Sequence, residues 1–439
     1  MQRVPSSAAD WCAQANAARQ MGRTERAKAG FRAALAIDPG CFPARFGLAS
    51  TMLDDGDVAG AAAIVERMAA DAAGRPDTAW LQVRVAVARG DPGLACDLLG
   101  RLLASATLGP EQRAEAFLQR GIALDDLGRT TEAFAAARAG KQIQRALHAA
   151  QAESRESEVA KLERLATWMR GTPSRCAPSP RPPAARAAAT HVFLLGFPRS
   201  GTTLLEQVLA AHPRVATLEE APTLAAAYQA FLSDADACAA LLRLGDEEAT
   251  AWAEHYWREI AQRGVDVAGR LFVDKQPAGT LSLPIIARLF PHAKILFALR
   301  DPRDVVLSCF RQAFQMNAMT YAFTDLTETA ACYDACMRLA QQARARLPLA
   351  WCDVRHEALV EDFEGELARI TGFLGLEADP AMSDFARAAH KRTIRTPSAP
   401  QVRAGLNRRG LGRWEAYREA LAPVMPTLAP WVERFGYTV

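Results

Sequence analysis

Residues 196–203 read Gly196-Phe-Pro-Arg-Ser-Gly-Thr-Thr203 (GFPRSGTT), a phosphate-loop spacing of the G-x-x-x-x-G form. The run before it, His191-Val-Phe-Leu-Leu195, is apolar and β-prone, and the run after it, Thr203-Leu-Leu-Glu-Gln-Val-Leu-Ala-Ala211, has helical spacing. The glycines therefore sit at a strand-to-helix turn, where successive backbone N–H groups and the positive end of a helix cradle phosphate-like oxygens. The position that would carry the lysine of a nucleotide triphosphatase is Thr202, and Arg199 with the Thr202 and Thr203 hydroxyls stands in its place. The loop is expected to hold an anion other than the terminal phosphates of ATP or GTP.

Around this turn the apolar runs His191 to Leu195, Leu271 to Val273, Ile295 to Leu299 and Ala350 to Val354 alternate with helical patterns. Such alternation predicts an α/β domain with a mainly parallel sheet over residues 189–439. The first third reads differently. Trp11, Ala27, Phe31, Ala34 and Pro39 fall in one register of the tetratricopeptide pattern, whose unit is about 34 residues. Gly56 with Ala61, Gly90 with Ala95, and Gly128 with Ala133 repeat a turn glycine five residues ahead of a small helix-packing alanine. Residues 1–148 are thus predicted to form an all-α tetratricopeptide solenoid, each helix pair burying its apolar face against its neighbours. A charged helix from Ala149 and a proline-rich stretch from Gly171 to Ala184 predict a connecting helix and linker over 149–188.

Composition narrows the function classes. A chain of 439 residues with 50% hydrophobic content builds its core without staples. Its nine cysteines include no CxxC, and Cys332 and Cys336, one helical turn apart, suit a shared helix face better than zinc, so no metal is expected. No apolar run approaches the ~20 residues that span a bilayer, and the first residues lack a signal-like apolar core. A cytoplasmic location is expected from this. A net charge of +3 is too weak to imply nucleic-acid binding, although the stretch from Arg387 to Arg413 is locally basic.

A second anion-binding stretch follows the run Lys294 to Leu299, as Arg300-Asp-Pro-Arg-Asp-Val-Val-Leu-Ser308. Pro302 fits the first turn of a helix and Asp301 its cap, which puts Arg300 at a strand end and Ser308 one or two turns along the helix. Open parallel sheets bind ligands outside the carboxyl ends of their strands, where both stretches fall. Two such sites imply a ligand with two separated anionic groups.

Together, GFPRSGTT and ALRDPRDVVLSCFR resemble the 5′-phosphosulfate loop and the 3′-phosphate motif of sulfotransferases that use 3′-phosphoadenosine 5′-phosphosulfate (PAPS). RSGTTLLEQVLAAHPRVATLEE, with His212-Pro213 and Glu219-Glu220, is similar to the start of the catalytic domain of tyrosylprotein sulfotransferases. So are DKQP around Lys275, ARLFPHAKILFALRD from Ala287, and SAPQVR from Ser398 followed by Gly412-Arg-Trp414. The resemblance covers most of residues 190–438 and implies a P-loop-like sulfotransferase domain behind tetratricopeptide repeats. It implies that PAPS is the co-substrate, held by Arg199, Ser200, Gly201, Thr202, Thr203, Arg300, Ser308 and Arg413. It further implies Glu220 as the base toward the acceptor hydroxyl, Lys275 and Arg199 as stabilisers of charge, and Ser398 as a hydrogen-bond donor near the transferring group. Glu219 is expected to support the loop.

Departures from that family leave the acceptor open. Pro222 stands where tyrosylprotein sulfotransferases have an arginine, which removes a contact to an acidic peptide, and His356 replaces an expected tyrosine near the nucleotide and is given no catalytic role. A protein tyrosine held by the repeats is one acceptor; a carbohydrate, lipid or small phenol is another. A P-loop nucleotide kinase and a non-catalytic nucleotide-binding scaffold with peptide-binding repeats are the alternative functions. The oligomeric state is not legible.

Overall fold

The structure is a computed structural model that describes residues 6–71, 75–171, 188–390, 392, 396 and 398–438. The chain divides into two compact units, Met1–Leu147 and His148–Val439.

The first unit is helical: α1 (Ala8–Gln20), α2 (Thr24–Ile37), α3 (Phe42–Asp54), α4 (Val58–Asp71), α5 (Pro76–Ala88), α6 (Pro92–Ala104), α7 (Pro110–Asp126) and α8 (Thr130–Glu153), the last running past the unit boundary. Four of its turns are built alike. Gly22, Gly56, Gly90 and Gly128 take φ of 72°, 87°, 70° and 73°. In each the following N–H reaches back to close the helix end: Arg23 to Ala18 O, Asp57 to Met52 O, Asp91 to Ala86 O and Arg129 to Leu124 O, at 2.9–3.0 Å. A left-handed residue is required there, and only glycine takes that shape without a Cβ penalty. Five residues later Ala27, Ala61, Ala95 and Ala133 are completely buried, so the second helix of each pair lies close on the first. The turn glycines and packing alanines of the sequence pattern thus occupy equivalent places in successive helix pairs, with Gly22 and Ala27 as one more instance.

The second unit holds a five-stranded sheet of β1 (Thr190–Gly196), β2 (Val215–Glu219), β3 (Leu271–Lys275), β4 (Lys294–Leu299) and β5 (Ala350–Arg355), in the order β2-β3-β1-β4-β5 with every pairing parallel. Because β1 lies at the centre and the chain fills first one side and then the other, the crevice at the carboxyl end of β1 is the switch point where such sheets bind ligands. β2 carries no apolar run and is absent from the sequence-predicted strands: it is a five-residue edge, half-buried toward its carboxyl end. The helix after the loop, α10 (Thr202–Ala210), packs Leu205, Val208 and Leu209 with Val192, Leu194 and Val273 of the sheet. Each such side chain contributes about 1.5–3 kcal/mol, so the phosphate loop is clamped between a buried strand and a buried helix.

Helix α9 (Glu158–Gly171), read from sequence as part of a connector, buries Leu162, Leu165 and Ala166 and packs on the helix Leu326–Arg346 within this second unit. The proline-rich stretch beyond Gly171 lies outside the described residues. Cys332 and Cys336 are buried on that same helix Leu326–Arg346, and burial pushes both thiols up, Cys336 to about 12. Among the described residues no helix is long and apolar enough to cross a membrane, and no cluster of metal-ligating side chains occurs.

Candidate active site

All five strands deliver a polar residue to the carboxyl edge of the sheet: Arg199 just beyond β1, Glu220 after β2, Lys275 ending β3, Arg300 after β4 and His356 after β5. The turn after β1 is closed by Ser200 N donating to Phe197 O at 3.1 Å, with Arg199 at φ 71° and Gly201 at φ 94°. Gly201 is the N-cap of α10, whose first N–H groups have no partner within the helix. A Cβ at Gly201 would lie 2.6 Å from His356 Nδ1, so this close approach as well as the positive φ requires glycine. His356 is half-buried, and desolvation, aided by the charges of Arg300 and Arg199, lowers its pKa to about 3, leaving it neutral beside the loop.

The two anion-binding stretches meet. Arg199 Nε donates to Ser308 Oγ at 3.0 Å, its terminal nitrogens reach Ser398 Oγ and, at 3.3 Å, Gln401 Oε1, and Thr203 and Thr396 hydroxyls lie 3.1 Å apart. Arg300 in turn donates to the Arg199 carbonyl at 3.1 Å and to the Gly410 carbonyl. Burial, and then the neighbouring Arg300 charge, lowers the Arg199 pKa to about 10, still well above neutral. Asp301 caps the helix Pro302–Arg311 through Arg303 N, as its sequence position predicts. From that helix Asp304 accepts from Gly412 N and Trp414 N, each at 2.8 Å, which brings the Arg413 backbone beside Arg300 and Ser308. Burial raises Asp304 to about 6 against the pull of Arg300.

At the β2–β3 side, Lys275 is fully buried among three carboxylates: Glu220 at 2.6 Å, Glu219 at 3.4 Å and Glu206 at 3.5 Å. Desolvation alone would lower its pKa; Glu206, Glu220 and Glu219 more than offset that, and the amine is held above its ordinary value. Glu206, on the buried face of α10, is pushed up to about 7 by burial, with Lys275 pulling the other way. Glu220 N donates to Lys275 O at 2.9 Å, so the β2–β3 ladder carries Glu220 into place.

Two further residues belong to this architecture that sequence reasoning left out, Glu206 and Asp274; His356, given no catalytic role there, packs against the loop. Asp274 is buried next to Lys275 and accepts from Thr223 Oγ1 at 2.8 Å, Tyr256 OH at 2.8 Å and Gln276 Nε2 at 3.1 Å. Thr223 follows Glu220 by three residues, so Asp274 ties the loop bearing Glu220 to the strand bearing Lys275. His191 Nε2, whose proton goes to the Tyr256 oxygen, extends this chain through the core at 2.9 Å. A signal existed for Glu206, a lone carboxylate within the apolar run LLEQVLA; for Asp274, only its adjacency to Lys275. His212, by contrast, is structural: it accepts from Arg214 N at 3.0 Å and bonds Glu377 O at 3.1 Å.

A cavity of about 890 Å³ opens over this edge, reaching Arg199, Gly201, Thr202, Thr203, Glu220 and Ser398. Its size is that of a small-molecule site, roughly 300–1,000 Å³.

The profile of the sulfotransferase family matches residues 191–380, and that of the tetratricopeptide repeat matches 18–85. An uncharacterized protein of Aquifex aeolicus is 26% identical over 54% of this chain, which spans about a third (32%) of that relative. A putative protein-tyrosine sulfotransferase of Caenorhabditis briggsae is 27% identical, over 56% of this chain and 88% of its own length. Protein-tyrosine sulfotransferase 2 of Gallus gallus is 28% identical, over 56% of this chain and 69% of its own. The range 191–380 contains the loop and the strand-end residues just described, and the chain joins tetratricopeptide repeats to a sulfotransferase domain.

Proposed function

We propose that the second unit binds PAPS along the carboxyl edge of its sheet and transfers the sulfuryl group to a hydroxyl acceptor, leaving adenosine 3′,5′-bisphosphate. The observation that carries this is the convergence of Glu220, Lys275 and the loop of Arg199 to Thr203 from separate strand ends. The residues fit the co-substrate: a loop without a lysine, closed by a glycine that leaves no room for a Cβ, and two arginines with Ser308 beside it. PAPS supplies an activated sulfuryl group; the protein positions it and neutralises charge.

In the transfer, the acceptor oxygen forms a bond to sulfur as the bond from sulfur to the 5′-phosphate oxygen breaks, and the electron pair goes to that phosphate oxygen. Glu220 takes the acceptor proton; a carboxylate within hydrogen-bond reach suffices for a hydroxyl. Lys275, kept protonated by its carboxylates, stabilises the leaving phosphate once Glu220 turns from the amine to the acceptor. Ser398 and Arg199, already joined, hold the oxygens of the transferring end. The repeats, whose class stacks into extended concave surfaces, bind a protein segment.

Glu220→Gln is the test. Glu219 and Glu206 remain at 3.4 and 3.5 Å from Lys275, so the amine keeps partners and the site its fold. Turnover of labelled PAPS with an accepted hydroxyl compound should fall about 10²–10⁴-fold while adenosine 3′,5′-bisphosphate affinity stays within about threefold. A fully active variant would assign the proton elsewhere.

A further inference from the structure

The acceptor class is written in the walls of the cavity. Beyond the reacting end, the described lining sets the apolar side chains Leu224, Leu281, Phe314 and Met319 beside the uncharged amides of Gln229, Gln276, Gln315 and Asn317. Phe314, half-buried in the lining, meets the buried Phe323 edge to face with centroids 5.5 Å apart, which holds one aromatic ring at the wall.

The charge census is short. Among the described lining residues only Glu158, Lys161, Arg199 and Glu220 carry charge. Arg199 and Glu220 belong to the reaction. Glu158 and Lys161, both on α9, cancel each other, with Lys161 Nζ 3.3 Å from Glu158 Oε2. Glu158 is 6% exposed, and burial raises its pKa against the attraction of Lys161. An acceptor bearing carboxylates would set them against Glu158 and Glu220, with Lys161 already paired to Glu158 and Arg199 committed to the reacting end among the described lining residues, and like charges brought together in such a site cost several kcal/mol. Pro222, two residues past the base, adds another uncharged surface.

On these grounds, and resting on the sulfotransferase reading above, we infer that the acceptor is an uncharged phenol or alcohol on an apolar, ring-containing body, and not a tyrosine in an acidic peptide. The chemistry is the same: the hydroxyl proton goes to Glu220, the acceptor oxygen takes the sulfuryl group, and the leaving pair stays on the nucleotide phosphate. Selectivity comes from desolvation. An apolar ring gains about 25 cal/mol per Å² on entering the cavity, whereas a carboxylate beside it loses its water without a partner.

A matched pair isolates the charge: 2-naphthol and 6-hydroxy-2-naphthoate, given to the full chain with labelled PAPS, alongside a tyrosine peptide flanked by glutamates. 2-Naphthol should be labelled, with kcat/KM at least tenfold above the naphthoate, and the peptide should be a poorer acceptor than either. Glu158→Gln, which frees Lys161 to meet an anion, should move the ratio toward the naphthoate by about tenfold. Preference for the naphthoate or the peptide, a ratio unmoved by Glu158→Gln, or no labelling of 2-naphthol by protein that binds adenosine 3′,5′-bisphosphate would each overturn the inference. Protein that binds no bisphosphate and labels nothing would instead remove the sulfotransferase reading on which it rests.

Discussion

Gly201→Ala isolates the physical demand of the loop. Two terms oppose the added methyl. At φ 94° an L-residue is strained by about 1–2 kcal/mol. The new Cβ would also lie 2.6 Å from His356 Nδ1 and 3.1 Å from its Cγ, and overpacking of this kind typically destabilises by about 1–3 kcal/mol. The single variant should therefore lose about 2–5 kcal/mol. His356→Ala alone removes a half-buried ring and has its own cost, at or below the low end of the roughly 2–5 kcal/mol seen for large-to-alanine core changes. In the double variant the nearest remaining atom of residue 356 is its Cβ at 3.3 Å, so the overlap term goes and the φ term stays. The double loss should fall short of the sum of the singles by about 1–3 kcal/mol. Calorimetry of the full chain measures this. The relevant transition is the one that adenosine 3′,5′-bisphosphate moves upward, since a ligand of the native state alone stabilises only the unit that binds it. Strict additivity, or a Gly201→Ala protein as stable as the parent, would refute the packing of His356 against the loop.

Ser308→Ala removes the acceptor of Arg199 Nε, and should raise the Kd of adenosine 3′,5′-bisphosphate about tenfold while adenosine 5′-phosphate changes by less than about threefold; equal losses by titration calorimetry would detach Ser308 from the 3′-phosphate. Glu206, held near 7 in the fold against 4.5 for a free glutamate, keeps its proton longer folded than unfolded, so its contribution to stability falls as pH rises from about 4.5 through about 7. The Tm of Glu206→Gln relative to the parent should therefore climb between pH 5 and pH 8, and a constant difference would show that Glu206 titrates normally. A chain beginning at His148 should bind bisphosphate as the full chain does, whereas one beginning at Arg186, deprived of α9 and of the cavity wall at Glu158 and Lys161, should unfold or lose that binding; equal behaviour of the two would make α9 dispensable.

What was legible in the sequence follows from the range of the forces involved. GFPRSGTT announced a strand-to-helix turn because glycine conformation and flanking periodicity are local, and Asp301-Pro302 marked a helix start for the same reason. The turn glycines and alanines of the repeats were legible because one local device recurs. β2 was not, since five residues of VATLE acquire strand structure from pairing with β3 and not from their own pattern. Nor was the meeting of Arg199 with Ser308, more than a hundred residues apart, nor the third carboxylate at Lys275. Glu206 is apolar-helix sequence with one charged letter; only its 3.5 Å approach to Lys275 gives that letter a role. The packing of α9 was not legible for a related reason: a charged helix before a proline-rich stretch reads as a connector, and its buried apolar face is set by partners distant in sequence.

Arg199 and Glu220 are the two non-glycine residues with positive φ among those described, at 71° and 47°. Both follow a strand end at the reacting edge. Glycine would relieve about 1–2 kcal/mol at either position, so their presence there sets side-chain chemistry against backbone stability. The surrounding structure keeps the strain in place: Glu220 N extends the β2–β3 ladder to Lys275 O, and the Arg199 carbonyl is held by the Arg300 guanidinium. What the strain achieves is direction. The Glu220 turn is accompanied by a carboxylate set 2.6 Å from the amine of the neighbouring strand, and the Arg199 turn by a guanidinium set against Ser308 and Ser398 while the loop amides stay free of it. The proposed base and the proposed anion-holding cation thus occupy the two positions where the backbone is least relaxed, which is the pattern expected when a site is organised for the reaction before its substrates arrive.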